Sequence, residues 1–160
     1  MAQGRRNDPS IAPSDEDNIY AAAFVDADGC ITVRNAYGNI RKGAAKSVSV
    51  SAYVVISQAD PHGPMLVWFQ ERWGGSIRTL PTRRGNSQTA WEWCVASQQA
   101  YKFLDDIRPY MKIKGQRADN ALMLRDLRRA TGKGNAMTPE EVAQRQAIKA
   151  RALELNKRGI

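Results

Sequence analysis

The stretch 47–57 constrains the fold more than any other part of the chain. Val48, Val50, Ala52, Val54 and Ile56 alternate there with Ser47, Ser49, Ser51, Tyr53 and Val55. A period of two puts the first set on one side of an extended strand and the second set on the other. One side is apolar and belongs in a core; the other is mostly polar. That is the pattern of an antiparallel sheet covered on one face only.

Helices can be read on both sides of this strand. Ser14, followed by Asp15, Glu16 and Asp17, has the form of an N-cap with acids in the first turn, where they suit the helix dipole. The helix runs through Ile19–Val25 and stops near Gly29, a residue suited to ending helices; Cys30, Ile31, Thr32 and Val33 then begin a strand. Residues 35–46, with two glycines and three basic residues, suit a hairpin tip. Asp60, Pro61 and Gly63-Pro64 mark a turn, and 65–73 reads as a short helix ended by Gly74-Gly75. A second hairpin pairs 76–80 with 89–96 around a tip at 83–86. Its outward face is left open by the pattern: Trp91 and Trp93 share one side, which suits a core better than a surface.

Ser97 starts a helix through Tyr101, Phe103, Leu104 and Ile107, ended by Pro109, and another runs from about 117 to 129. Thr138-Pro139-Glu140-Glu141 is a capping box that opens a last helix. The order is α-ββ-α-ββ-α with C-terminal helices, an α+β class. Residues 1–13 read as a disordered tail, 14–131 as one folded domain, and 132–160 as a linker with the last helix.

Charge narrows the partner. Twenty-four Lys and Arg against sixteen Asp and Glu leave a net +8, which favours a polyanion such as nucleic acid. A single His62 and two separated cysteines, Cys30 and Cys94, argue against zinc and for free thiols in a reducing compartment. No apolar run approaches the ~20 residues needed to cross a bilayer, and the first ten residues hold no hydrophobic segment. A soluble, intracellular protein without membrane partners is expected.

The segment 20–29, YAAAFVDADG, carries the most chemistry. It resembles the LAGLIDADG motif of homing endonucleases in the variant AGFVDGDG, with Asp26, Ala27, Asp28 and Gly29 matching its end. Two further matches follow in order. Gln58 closes the Val54-Val55-Ile56-Ser57 run, where family members place a glutamine. Pro109-Tyr110-Met111-Lys112-Ile113-Lys114 resembles their PFLKLK or PYLKIK pattern, followed by Gln116, Arg117 and Ala118. The resemblance spans roughly 19–127.

It implies an αββαββα fold with a saddle-shaped antiparallel DNA-binding sheet. It also implies a homodimeric endonuclease that makes metal-dependent double-strand breaks at long, near-palindromic DNA sites. Asp28 would bind Mg2+, or another divalent cation such as Mn2+ or Ca2+, with help from the Gly29 carbonyl. Gln58 would orient the attacking water and Lys114 would add positive charge to its network. Ala23 and Ala27, four apart on one helical face, leave room for two such helices to pack closely. Converging Asp28 carboxylates would repel unless hard cations lay between them.

Phe24 joins this expected dimer interface, as does a pair between Lys112 and Glu16, for which Asp15 is an equal candidate. Asp26 points away from the motif's acid and is expected to be structural. His62, just past Gln58, belongs to the solvent network, to a phosphate contact or simply to a turn. For DNA, the expected readers on the strands are Arg34, Ser49, Ser51, Tyr53 and Val55. Arg41, Lys42 and Lys46 surround one tip, with Arg78, Arg83 and Arg84 on the other hairpin. A DNA-binding regulator or an RNA-splicing maturase on the same scaffold is the alternative. The joint presence of Asp28, Gln58 and Lys114 favours the nuclease.

Overall fold

A computed structural model describes residues 8–36, 49–80, 88–127 and 137–157. Helix α1 spans Asp15–Asp28 and opens with a full capping box. The Ser14 hydroxyl accepts from the Asp17 amide at 3.1 Å, and the Asp17 carboxylate accepts from the Ser14 amide at 3.0 Å. Gly29 ends the helix, but not through left-handed backbone, since its φ is −77°. Space demands the glycine here: a Cβ would come within 2.8 Å of the Val25 Cα.

Strands β1 (Cys30–Ala36) and β2 (Ser49–Ala59) follow, then a 3-10 turn at Gly63–Met65 leading into α2 (Leu66–Trp73). Strands β3 (Ser76–Leu80) and β4 (Ala90–Ala96) precede α3 (Ser97–Ile107). A 3-10 turn at Arg108–Tyr110 then leads to α4 (Gly115–Asp126) and α5 (Pro139–Leu155). The expected order of elements is present; α4 starts two residues before the anticipated Arg117. The sheet has strand order β1-β2-β4-β3, and all its pairs are antiparallel.

The period-two reading of β2 holds on its apolar side, where Val50, Ala52, Val54 and Ile56 are buried. Ile31, Val33, Trp93 and Val95 share that side through the strand register, and the helices cover it. Trp93 settles the second hairpin. It is fully buried and its indole N–H donates to the Gly74 carbonyl at 2.9 Å. Trp91, on the same side, donates to the Asp60 carboxylate at 2.8 Å. Ser76, Arg78, Glu92 and Cys94 therefore face the other way. At the centre of the core, Phe69 meets Trp68, Trp93 and Phe24 with ring centroids 4.9, 5.1 and 5.5 Å apart. Contacts of this kind add to the stabilisation from area burial alone.

The last helix is part of this body. Ile148, Ala152 and Leu155 are buried. Asn156 donates to the Ile31 carbonyl at 3.0 Å and Lys149 to the Asn35 side chain at 3.2 Å, so α5 lies along β1. Among the described residues, no helix is long and apolar enough to cross a membrane.

Gly75 offers a test of the packing between α2 and the second hairpin. Its φ is +87°, and a Cβ would fall 2.5 Å from the Cys94 carbonyl oxygen. Gly75→Ala should lower unfolding free energy by at least about 2 kcal/mol, read as a lower urea midpoint at unchanged slope. A midpoint equal to the wild type would show that the backbone relaxes freely there.

Candidate active site and nucleic-acid interface

The C-terminal end of α1 is where the sequence-predicted residues meet. Asp28 is its last residue, and its side chain is exposed. Gln58, near the end of β2, reaches across and donates from Nε2 to Asp28 Oδ2 at 3.3 Å. Lys114 arrives from the start of α4. Its ammonium donates to the carbonyls of Val25 at 2.9 Å and Gly29 at 2.7 Å. A cation suits that place, because the carbonyls at a helix end carry partial negative charge. Burial, reinforced by the Arg117 charge, holds the Lys114 ammonium below the usual lysine range, against the pull of Asp26 and Asp28.

Asp26 explains how Lys114 gets there. Its carboxylate is buried and accepts from three successive backbone amides, those of Lys112 at 2.6 Å, Ile113 at 3.1 Å and Lys114 at 2.8 Å. Burial pushes this carboxyl up, but the three amide bonds and the Lys114 charge outweigh it, so its affinity for protons is net lowered. The structural role expected for Asp26 is thus filled, by a strap between α1 and α4.

The Gly29 carbonyl is already engaged, and of the alternatives open for His62 the structure has it in a turn. The Gly29 carbonyl, expected to assist a metal ion, already accepts from the Lys114 ammonium. A divalent cation on the same oxygen would sit beside that positive charge, which argues against Gly29 as a ligand while Lys114 holds this pose. His62 is an exposed residue of the turn after β2, its amide bonded to the Ala59 carbonyl at 2.9 Å.

The uncovered side of the sheet is the second feature. Register places Thr32, Arg34, Tyr53, Val55, Ser57, Glu92, Cys94, Ser76 and Arg78 on it. Arg34 is exposed and its guanidinium lies over the Tyr53 ring, 4.4 Å from the centroid. Val55 is half-buried between Cys30 and Cys94, its partners on either side. Ser49 pairs with Ala36 where the first hairpin begins.

Ser51 departs from expectation. It is only 4% exposed, and its hydroxyl shares a 2.6 Å hydrogen bond with Ser97, a residue at φ 51° that folds over it. It is therefore not free to read a ligand. Arg78 lies mid-strand in β3, as the sequence placed it, and is paired with Glu92. Arg41, Lys42, Lys46, Arg83 and Arg84 lie outside the described residues.

Neither a protein-family profile nor a curated protein sequence matches the chain. Solved structures do. The homing endonuclease I-CvuI, crystallised with its DNA target and calcium, superposes with a TM-score of 0.70 over 91% of this chain and 85% of its own, at 20% identity. The archaeal intron-encoded homing endonuclease I-Vdi141I, complexed with DNA, gives 0.62 over 91% and 87%, at 17% identity. The LAGLIDADG homing endonuclease I-LtrWI, bound to target DNA, gives 0.61 over 89% of this chain but 46% of its own, at 15% identity. This is the LAGLIDADG homing-endonuclease fold.

In the LAGLIDADG fold of this chain, α1 keeps one face uncovered. Glu16, Ala23 and Ala27 are exposed on it, and Lys112 is exposed near its far end. Ile19 and Tyr20, about half exposed, extend the same stripe and were missed in the sequence reading. Their spacing from Ala23 and Ala27 was the available signal. Phe24 is half-buried, its ring packed against both Phe69 and Tyr20 of the stripe with centroids 5.5 and 6.1 Å apart. Among the described residues, no three His, Cys, Asp or Glu side chains cluster. Asp28 is the exposed carboxylate at this end of α1 among the described residues, a hard oxygen donor that suits magnesium or calcium only as part of a larger ligand set.

Proposed function

We propose that this chain is a site-specific endonuclease that cuts double-stranded DNA with divalent metal ions, two copies acting together. The observation that carries the reading is the convergence of Asp28, Gln58 and Lys114 at one helix end. This lies beside a sheet whose uncovered face displays Arg34, Tyr53 and Arg78.

Asp28 of each copy would hold the metal ions, together with phosphate and water oxygens. Bound there, such ions supply an activated water and charge stabilisation for the departing oxygen. The chain's own residues do the rest. Gln58 fixes the Asp28 carboxylate with one amide N–H and keeps its carbonyl for orienting a water. Lys114 brings positive charge close to where the phosphate's negative charge grows. Its strap to Asp26 keeps the long side chain from wandering.

A symmetric pair is called for because, among the described residues, each chain brings only Asp28 as an exposed carboxylate to this helix end. The stripe of Glu16, Ile19, Tyr20, Ala23 and Ala27 gives α1 a face for its twin, small enough at the alanines for close helix approach, with Lys112 of one copy near Glu16 of the other. This chain also covers 85% of I-CvuI but 46% of I-LtrWI, as one of two equivalent halves would. The two-fold arrangement predicts a near-palindromic target. Arg34 and Tyr53, with Val55 for a thymine methyl, would read base edges in the major groove. The basic residues of the hairpin tips would hold phosphates.

The test is a randomised duplex pool incubated with protein and Mg2+, followed by sequencing of cut ends. Paired ends flanking a near-palindrome are expected. Folded protein that retains one duplex and leaves it whole would make this a binding protein instead. The dimer has its own test: Ala23→Arg should halve the sedimenting mass and remove cutting. A dimeric, active Ala23→Arg would place the interface elsewhere.

A further inference from the structure

An acid on the uncovered face of a chain with net charge +8 calls for an explanation. Glu92 on β4 stands directly opposite Arg78 on β3, with Ser57 opposite it on β2. Arg78 donates to a single oxygen, Glu92 Oε1, from Nε at 2.8 Å and from Nη2 at 2.6 Å. The glutamate side chain is 15% exposed and the arginine 70%. The acid is therefore seated in the sheet surface while the guanidinium stands out from it.

Two of the five guanidinium N–H groups are used in this pair. Of the remaining three, one on Nη1 and one on Nη2 form the terminal fork, held at a fixed angle, and the third points back along the side chain. The pair as a whole carries no net charge, and its carboxylate would repel a phosphate placed against it. A phosphate grip is what this arrangement is worst at. A fork of two parallel donors, fixed in direction and charge-compensated from behind, matches the O6 and N7 acceptors of guanine in the major groove.

We infer that Arg78, aimed by Glu92, selects a guanine at one defined position of each half of the DNA target, with Glu92 acting as a positioning residue. The inference rests on the DNA-cutting reading above and adds the base that this part of the face reads. Glu92 sets both the direction of the fork and its preference for a base edge over the backbone.

Target selection from random duplex DNA, run with wild-type protein and with Arg78→Ala, Glu92→Ala and Glu92→Gln, tests it. Wild type should return a site with a guanine fixed at one position per half. Arg78→Ala should lose roughly ten- to hundredfold of discrimination at that position and little elsewhere. Glu92→Ala should relax the same position and steepen the salt dependence of binding by about one unit of log–log slope, because a freed Arg78 turns to phosphate. Glu92→Gln, which keeps an acceptor, should fall between the two. Thermal midpoints should stay close to wild type throughout, since an exposed cross-strand pair contributes little to folding.

A uniform loss of affinity over all sequences in Arg78→Ala would make the residue a phosphate anchor and overturn the inference. Unchanged base preference in the glutamate variants, on a target that wild type does bind and cut, would overturn the role of Glu92. If wild type selects no sequence at all, the DNA-cutting reading falls, and this inference with it.

Discussion

Asp28→Asn is expected to abolish strand cutting while leaving DNA binding intact. The substitution removes one negative charge and keeps the shape. The side chain is exposed and accepts a 3.3 Å bond from Gln58, a surface contact of small expected weight in folding. What is lost is the acidic oxygen donor that Asp28 offers at this helix end. Cutting in saturating Mg2+ should fall by roughly a thousandfold or more, the scale on which loss of an indispensable group acts. Affinity for the target, measured by gel shift, should change by less than about tenfold, because the groups proposed to grip DNA are on the sheet. A mutant that cuts within tenfold of wild type would remove Asp28 from the chemistry.

Loss of the buried carboxylate two residues earlier should strike stability instead. In Asp26→Ala the amides of Lys112, Ile113 and Lys114 lose their shared acceptor, and water must enter to replace it. Bonds to a charged group are each worth more than neutral ones. About 3 kcal/mol of unfolding free energy is expected to go, visible in urea titration. The pH dependence has a definite sign. The folded state holds this carboxyl below its ordinary 3.8, so its stabilisation is complete well above that pH. It declines as pH falls through 3.8 towards the lower folded-state value. The stability gap between wild type and Asp26→Asn should accordingly be widest near neutrality and close in acid. A gap that stays constant down to pH 2 would mean that the carboxyl is not ionised in the strap. Because Lys114 is delivered by the same strap, slower cutting should accompany the loss.

How legible all this was depends on the range of the interactions involved. The capping boxes at Ser14 and Thr138 and the alternation in β2 are local, and the elements they announce are present. Asp28 and Gln58 were legible through the motif and its spacing, and the fold brings them into contact across 30 residues. The side of the second hairpin was only partly legible: Trp91 and Trp93 favoured the core, and the Gly74 and Asp60 acceptors of their indole N–H groups, which fix it, come from elsewhere in the fold. Ser51 was misread for a similar reason. Its place in the alternation is polar, but only the tertiary turn at Ser97 determines that it is covered. The partners of Asp26 lie 86–88 residues away, beyond any sequence pattern; the motif indicated only that the acid faced elsewhere. Gly29 was expected for its backbone freedom and is required for its smallness.

The placement of the tryptophans decides what light can report about this molecule. Trp68 and Trp73 sit in the aromatic cluster of α2, and Trp91 and Trp93 share the sheet side beneath the helices. No indole is on the surface that carries Arg34 and Arg78. Intrinsic emission should therefore follow melting of the interior and stay nearly silent when a duplex docks. Among the described residues, Tyr53, stacked under a guanidinium on that outer surface, is a chromophore positioned to sense docking.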